Sequence, residues 1–514
     1  MLSNKYKLAT LMAGVCWLIL QGNVALANEA TQTSNDNEIR KLSQRTQALE
    51  SELQRVQNQV ATLRRQSNQT AVSTAETAAH QSLVTSVHPF FIIGTPVISS
   101  PYIGINSEYN ASDLVVNQPY VNEDLYLLQQ RKQIFNYLQQ NGHQFSDTPV
   151  INLSGKIESQ IFHTNHFGNF QNNSATDIDL TGIELDTEIL VNRWVTGLIA
   201  FVYDNTPPTD MSPRRIDNSR VLLERGFLTI GNLAKFPLYA TMGQFYVPFG
   251  QYSSSMISDP FTKTLGRTKV RALELGFSKQ FNDENDLNLS AFVFRGPSRT
   301  SLDNNGLRNY GANAEYIFTK PKWNIDIAGS YIRSIADSLG MQHNGNNGPG
   351  NFEGFATNNN TELMNPVPGL DARGTLSVEA FSLTGEYVTA GRTFAQSVLS
   401  INGQGAKPAA FHTEAAYKFN VLEKPSAIII GYDQSKDALG LLIPKKRYIA
   451  TVSTSIWKDT IESLEFRHDI DYNAMDVATG QSGFNPINGT GKSGNTITLP
   501  VSYTHLTLPT IYSV

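Results

Sequence analysis

The residues in this chain that could do chemistry are carboxylates and a few cations at alternate positions of extended segments. Glu184, Asp186 and Glu188 share one parity, and Glu274, Asn313 with Glu315, Asn324 with Asp326, Glu414 with Lys418, and Ser463 with Glu465 and Arg467 take the polar parity of their own segments. Successive strand residues point to opposite faces, so each set lines one face. Mixed charges facing one another across water set a transverse field that orients and selects polar solutes, and Glu315, Asp326, Glu465 and Arg467 are the leading candidates for that wall. Catalysis finds no such support: His468 beside Asp469 is the nearest approach to a catalytic pair, and neighbours on a strand face apart. His163 and His166 lack a third ligand nearby in sequence, so no metal site is expected. The only cysteine is Cys16. No cofactor motif is recognisable.

The elements that must position these side chains are strands. In residues 310–319, Ala312, Ala314, Tyr316 and Phe318 fall on one face and Asn313, Glu315 and Thr319 on the other, with Ile317 out of place. After Lys320, Pro321 and Lys322 the alternation resumes, with Trp323, Ile325, Ile327, Gly329 and Tyr331 opposite Asn324, Asp326, Ala328 and Ser330. One such hairpin fits a soluble sandwich as well as a membrane barrel. The order of the connections separates the two. Short turns near 191–193, 232–235, 282–286, 320–322, 422–425 and 458–459 alternate with long polar stretches at 163–176, 204–219, 250–269, 296–308, 334–373, 434–446 and 472–491. Outer-membrane barrels place turns at the periplasmic end and loops outside, whereas sandwiches have no such polarity. With a poorly marked turn near Phe381, the count is about sixteen strands between residues 150 and 500. The expectation is an all-β fold, a transmembrane antiparallel β-barrel with a periplasmic coiled-coil helix before it.

Composition agrees. A chain of 514 residues with mean hydropathy −0.26 is not a bundle of membrane helices, because only alternate barrel residues need be apolar. The net charge of −5 suggests no nucleic-acid partner. Residues 1–27 read as a signal peptide, with Lys5 and Lys7 before an apolar run and Ala25-Leu26-Ala27 as the cleavage site. A mature N-terminal segment follows over 28–38. Residues 39–65 fit a coiled coil with Ile39, Thr46, Leu53 and Val60 at a and Leu42, Leu49, Val56 and Leu63 at d, a seam that suits a homo-oligomer. A linker rich in Ser, Thr, Ala and Gln covers 66–89. Residues 90–149 form a Pro- and Gly-punctuated pre-barrel block that ends in an amphipathic helix from about Asn122 to Gln140.

Gly94-Thr95-Pro96, Pro101-Tyr102-Ile103-Gly104, Ser112 to Asn117, Asn122-Glu123-Asp124-Leu125 and Leu127-Leu128 occur in that block, and Val247-Pro248-Phe249-Gly250, Gly385-Glu386-Tyr387-Val388, Lys407-Pro408-Ala409 and Glu414-Ala415-Ala416-Tyr417 follow in the barrel. In this order they resemble the LbtU-type siderophore porins over nearly the whole chain. The resemblance implies an outer-membrane barrel, bedded in outer-membrane lipid, that imports ferric siderophore into the periplasm without a large plug. The rival readings are a general or anion-selective porin for other small polar solutes, and an envelope tether in which the coiled coil binds a periplasmic partner. The Asn- and Gly-rich stretch 342–360, with His343, Phe352 and Phe355, fits either a loop folded into the lumen or capturing ligand, or an ordinary surface loop. Val501 to Leu506 resembles a translated transposase adapter, so some of residues 501–514 are expected to be foreign.

Overall fold

The computed structural model describes residues 121–140, 150–165, 174–204, 220–282, 284–298, 306–342, 365–457, 460–479 and 486–504. The chain falls into two units, Met1–Val84 and Thr85–Val514, and the described residues belong to the second. The expected signal peptide, coiled coil and linker therefore lie outside the described residues, as does all of the candidate loop 342–360 after Gln342.

Sixteen antiparallel strands close into a barrel: β1 (Val150–Asn165), β2 (Ala175–Leu190), β3 (Val195–Asp204), β4 (Arg220–Asn232), β5 (Phe236–Tyr246), β6 (Lys269–Asn282), β7 (Asn285–Phe294), β8 (Asn309–Lys320), β9 (Trp323–Ile332), β10 (Gly369–Val378), β11 (Phe381–Ala390), β12 (Ala409–Val421), β13 (Lys424–Lys436), β14 (Lys446–Thr454), β15 (Thr460–Ile470) and β16 (Ser493–Thr504). Each pairs with its neighbour in sequence, and β16 returns to β1 through Asn165↔Asn495 to Lys156↔Thr504. Closure leaves no strand edge unpaired, which a sheet in hydrocarbon requires. The last strand runs past the expected boundary at 500. Val501 to Tyr503 pair with both β1 and β15, and the alternation persists, with Val501 outward and Ser502 buried.

Outward positions are apolar and inward ones polar. Met242, Leu275, Ile327 and Ile430 are all more than half exposed, while Glu274, Thr241 and Asp433 are wholly buried. A protein that exposes its large apolar side chains and encloses its carboxylates is built for lipid around it and water within. Trp194, Phe236, Trp323, Phe381 and Tyr417 form an aromatic girdle toward the short-turn end, with Phe318 and Trp323 ring to ring at 5.1 Å.

Beyond the long-loop end, Gln404–Gly405, Ser400–Ile401, Val477–Thr479 and Ile487–Asn488 pair as a small four-stranded sheet that joins the β11–β12 and β15–β16 loops. Helix α1 (Glu123–Gln140) precedes the barrel, and two short helices, α2 (Phe261–Gly266) and α3 (Leu339–Gln342), lie in the β5–β6 and β9–β10 connections.

Candidate functional site

The lumen is not the open polar tube that alternation alone suggests. The connection after β5 turns inward at Val247-Pro248-Phe249-Gly250. Gly250 has φ +74°, and a Cβ there would sit 2.2 Å from the Tyr252 ring, so only glycine makes this bend without moving the ring. Its N–H donates to Ser330 Oγ at 2.9 Å. The segment then crosses the lumen, and wall carboxylates hold it by its backbone. Glu386 accepts from the Gln251 and Tyr252 N–H groups at 2.8 and 3.1 Å and from Thr262 Oγ1 at 2.7 Å. Glu414 accepts from the Ser254 hydroxyl and the Ser255 N–H, both within 2.9 Å. Glu465 accepts from the Ile257 and Ser258 N–H groups at 2.7 and 3.1 Å, and Asp433 from the Phe261 N–H at 3.2 Å. Hydrogen bonds to ionised acceptors are about twice as strong as neutral ones, so these anchors fix an irregular segment that has no ladder of its own. Met256 adds an apolar foot, seated on Ala416, Ala427, Ile429, Ile449 and Ile461. These residues point inward, an apolar patch within the wall that the expectation of a uniformly polar lumen missed.

Helix α1 occupies the opposite side of the lumen. Asn122 to Asp124 and Arg131 are buried, as are Val121, Leu125, Leu127 and Leu128. Glu123 Oε2 lies 3.3 Å from Arg225 Nε, and Arg225 also pairs with Asp186 at 3.1 Å and with Glu184. Thr241 Oγ1 donates to Asp124, while Arg131 donates to Thr196 Oγ1 and the Gly231 carbonyl. Leu125 and Leu128 pack on Tyr239 beside Leu233. The helix and the inward segment meet where Gln251 Nε2 donates to the Tyr126 hydroxyl at 3.2 Å.

The four wall candidates separate into two groups. Glu315 and Asp326 lie near Arg373, whose guanidinium is 3.7 Å from Glu315 and 2.9 Å from Asp371 and also donates to Asn313 at 3.1 Å and Gln251 at 3.1 Å. Glu465 and Arg467 both meet Ser258, so they hold the inward segment, and Arg467 also pairs with Asp469 at 3.0 Å. Sequence reasoning missed Arg373, Asp371, Arg225, Glu386 and Asp433. Parity could have singled out all but Arg225, since Asp371 and Arg373 share a face of β10. His468 and Asp469 do face apart: Asp469 is buried with Arg447 and Arg467, and His468 bonds Asn495. His163 bonds Thr176 Oγ1, His166 lies outside the described residues, and no group of three or more metal-binding side chains occurs among the described residues.

Outside the strands, burial pushes the Asp259 carboxyl up, but Lys263 at 2.5 Å and Arg267 outweigh it and hold it below the ordinary carboxylate value. Burial raises Asp337, in the β9–β10 connection, to about 7, against donors from Ser298 and Asn309. The unfolded chain loses this proton near 4 and the folded chain near 7, so its contribution to stability is present below pH 4 and is lost as pH rises through 7. The urea midpoint of the wild type should therefore fall relative to Asp337→Asn between pH 4 and 7. Parallel curves for the two proteins would refute the assignment.

A sixteen-strand barrel with an apolar belt, an enclosed charged wall and a chain segment folded across it is a porin-like transmembrane barrel of the outer membrane. No family model matches the chain. It is 40% identical over 417 residues to the UPF0422 protein lpl2888 of Legionella pneumophila (strain Lens), covering 80% of this chain and 77% of that one. It is 35% identical over 401 residues to the UPF0422 protein of Coxiella burnetii, covering 77% and 81%. The chain belongs to the UPF0422 family. Similar solved structures include the anion-selective porin from Comamonas acidovorans, at 9% identity and TM-score 0.45 over 70% of this chain and 100% of that one. The outer membrane channel DcaP of Acinetobacter baumannii is similar at 13% identity and TM-score 0.41, over 70% and 99%. Both likenesses are distant.

Proposed function

We propose that the protein is an outer-membrane porin that passes small polar solutes through a lumen narrowed by its own chain, with the N-terminal region before α1 in the periplasm. The observation that carries this reading is the set of carboxylates, Glu386, Glu414, Glu465 and Asp433, that clamp the segment after Gly250 across the lumen. A barrel selects only where solute must exchange bulk water for wall groups, and a clamped segment creates such a place. Arg131, Arg225, Lys263 and Arg373, with the half-buried Arg447 and Arg467, stand among a larger number of buried carboxylates, so the wall field favours cations over anions. That sign argues against an anion-selective porin.

The finer reading, import of a ferric siderophore without a large plug, rests on the motif resemblance. Its support is one of position: Val247 to Gly250 makes the inward bend, while Gly385 to Val388 and Glu414 to Tyr417 carry two of the anchors. Glu315 and Asp326 are the proposed solute-facing pair, and Glu465 and Arg467 act through the segment they hold. The coiled coil at residues 39–65 would gather copies of the chain at the periplasmic face.

Planar-bilayer recording tests both levels. We expect an ohmic, cation-preferring conductance, and a larger, less selective one in Glu386→Ala, which frees the Gln251 and Tyr252 N–H groups. A reversal potential of the anion-selective sign would defeat the cation preference, and no current at all would defeat the porin reading. Growth under iron limitation that is identical with and without the gene for every added chelate would end the siderophore reading and leave the porin. Deleting residues 39–63 checks the tether rival, which requires lost envelope integrity with uptake intact.

A further inference from the structure

We propose that α1 is a docked plug, and that its release from the wall sets how much the channel conducts. This rests on the porin reading and adds its regulation. The lumen is bridged from wall to wall by an unbroken series of contacts. It starts at Arg225 on β4, passes to Glu123 at the start of α1, continues from Tyr126 to Gln251 of the inward segment, and ends where Glu386 on β11 accepts the Gln251 N–H. In a barrel of sixteen strands, β4 and β11 stand nearly opposite one another. The inward segment anchors on β9 to β15, and α1 is held on the other side through Thr196 on β3, Arg225 and Gly231 on β4, and Thr241 on β5. The inward segment narrows the lumen from the β9 to β15 side, and α1 narrows it from the β3 to β5 side.

The chemistry of the seat suits a contact that can be made and broken. Its apolar part is in two pieces: Leu125 and Leu128 on Tyr239 and Leu233, with Leu128 against Gly231, where a Cβ would come within 3.3 Å of Leu128 Cδ1, and Val121 and Leu127 in the apolar cluster that also holds Leu198 and Phe227. The remainder is polar and charge-assisted, and water can replace such groups at Thr196, Arg225 and Thr241 as the helix leaves. Arg225 keeps Glu184 and Asp186 as partners when Glu123 withdraws. The inward segment differs, because most of its wall bonds hold backbone N–H groups that would be orphaned. It is the fixed half of the constriction and α1 the movable half.

The test uses the full-length chain, in which Cys16 is the only native cysteine and lies in the expected signal peptide. Asp124→Cys with Thr241→Cys places two thiols where a carboxylate and a hydroxyl now bond. Oxidised, this protein should conduct as the wild type does, and reduction should raise single-channel conductance severalfold. Glu123→Gln with Asp124→Asn, which leaves the wall untouched, should raise it without any reductant. Heat-modifiable mobility on gels shows that each variant is folded before it is recorded. Equal conductance in the oxidised, reduced and charge-neutralised proteins would overturn the plug while leaving the porin standing. Folded protein that carries no current in any of these states would overturn both.

Discussion

Arg225→Ala is expected to destabilise the folded barrel by about 3–5 kcal/mol, the range for removing one partner from a buried ionic set. Arg225 is fully buried, and Glu123, Glu184 and Asp186 converge on it. No other arginine among the described residues faces three carboxylates at such depth without solvent beside it. With the guanidinium gone, like charges remain in a space from which water is largely excluded, and their repulsion adds to the desolvation each already bears. Arg225→Lys should fall in between, since one ammonium keeps the charge but cannot reach three partners with a planar fork. Neutralising a partner in the same chain, as in Arg225→Ala with Glu184→Gln, should recover part of the loss. The measurement is the urea midpoint of the heat-modifiable band in detergent. An Arg225→Ala protein that unfolds with the wild type would show that the carboxylates have other means of neutralisation.

Arg225 also marks where the sequence stops being readable. Strand alternation announced most of the barrel, because lipid outside and water inside impose a period of two. The weakest turn, which no glycine or proline marks, falls at Glu379 and Ala380, with Glu379 carrying the positive φ of 49° itself. Near Arg225 the period fails. The β3–β4 register slips between Ala200 and Phe201, leaving Glu224 as the extra residue of a bulge, and Leu222 and Leu223 are both exposed although adjacent. Parity counted through that bulge puts Arg225 on the wrong face.

The constriction was illegible for another reason. Alternation tells which face Glu386, Glu414 and Asp433 occupy but not what they meet, and their partners are backbone N–H groups well over a hundred residues away. Nothing in Ser253-Ser254-Ser255 distinguishes a segment crossing a lumen from one on a surface, so composition pointed to the Asn- and Gly-rich stretch after Gln342 instead. The acidic first turn of α1 had an ordinary local explanation in the helix dipole. Its actual partner, Arg225, is visible only once the barrel closes around it.

The division of faces carries the second large effect. Ile327→Lys is expected to cost about 2–4 kcal/mol, the depth-dependent price of a lysine at the midplane on the lipid face of a barrel. Ile327 lies mid-strand in β9, paired with Tyr316 and Gly374, and is 53% exposed, too far from either rim for a lysine to reach water easily. Asp326, one residue before it, points the other way, into the field of Glu315 and Arg373. Asp326→Asn should therefore leave the urea midpoint nearly unchanged while shifting the reversal potential toward weaker cation preference. The two substitutions are adjacent in sequence, so local strand propensity cannot account for opposite outcomes. Only a lipid face and a lumen face can. If Ile327→Lys folded as well as Asp326→Asn, the belt would not be in hydrocarbon, and the reading of this barrel as membrane-embedded would fall with it.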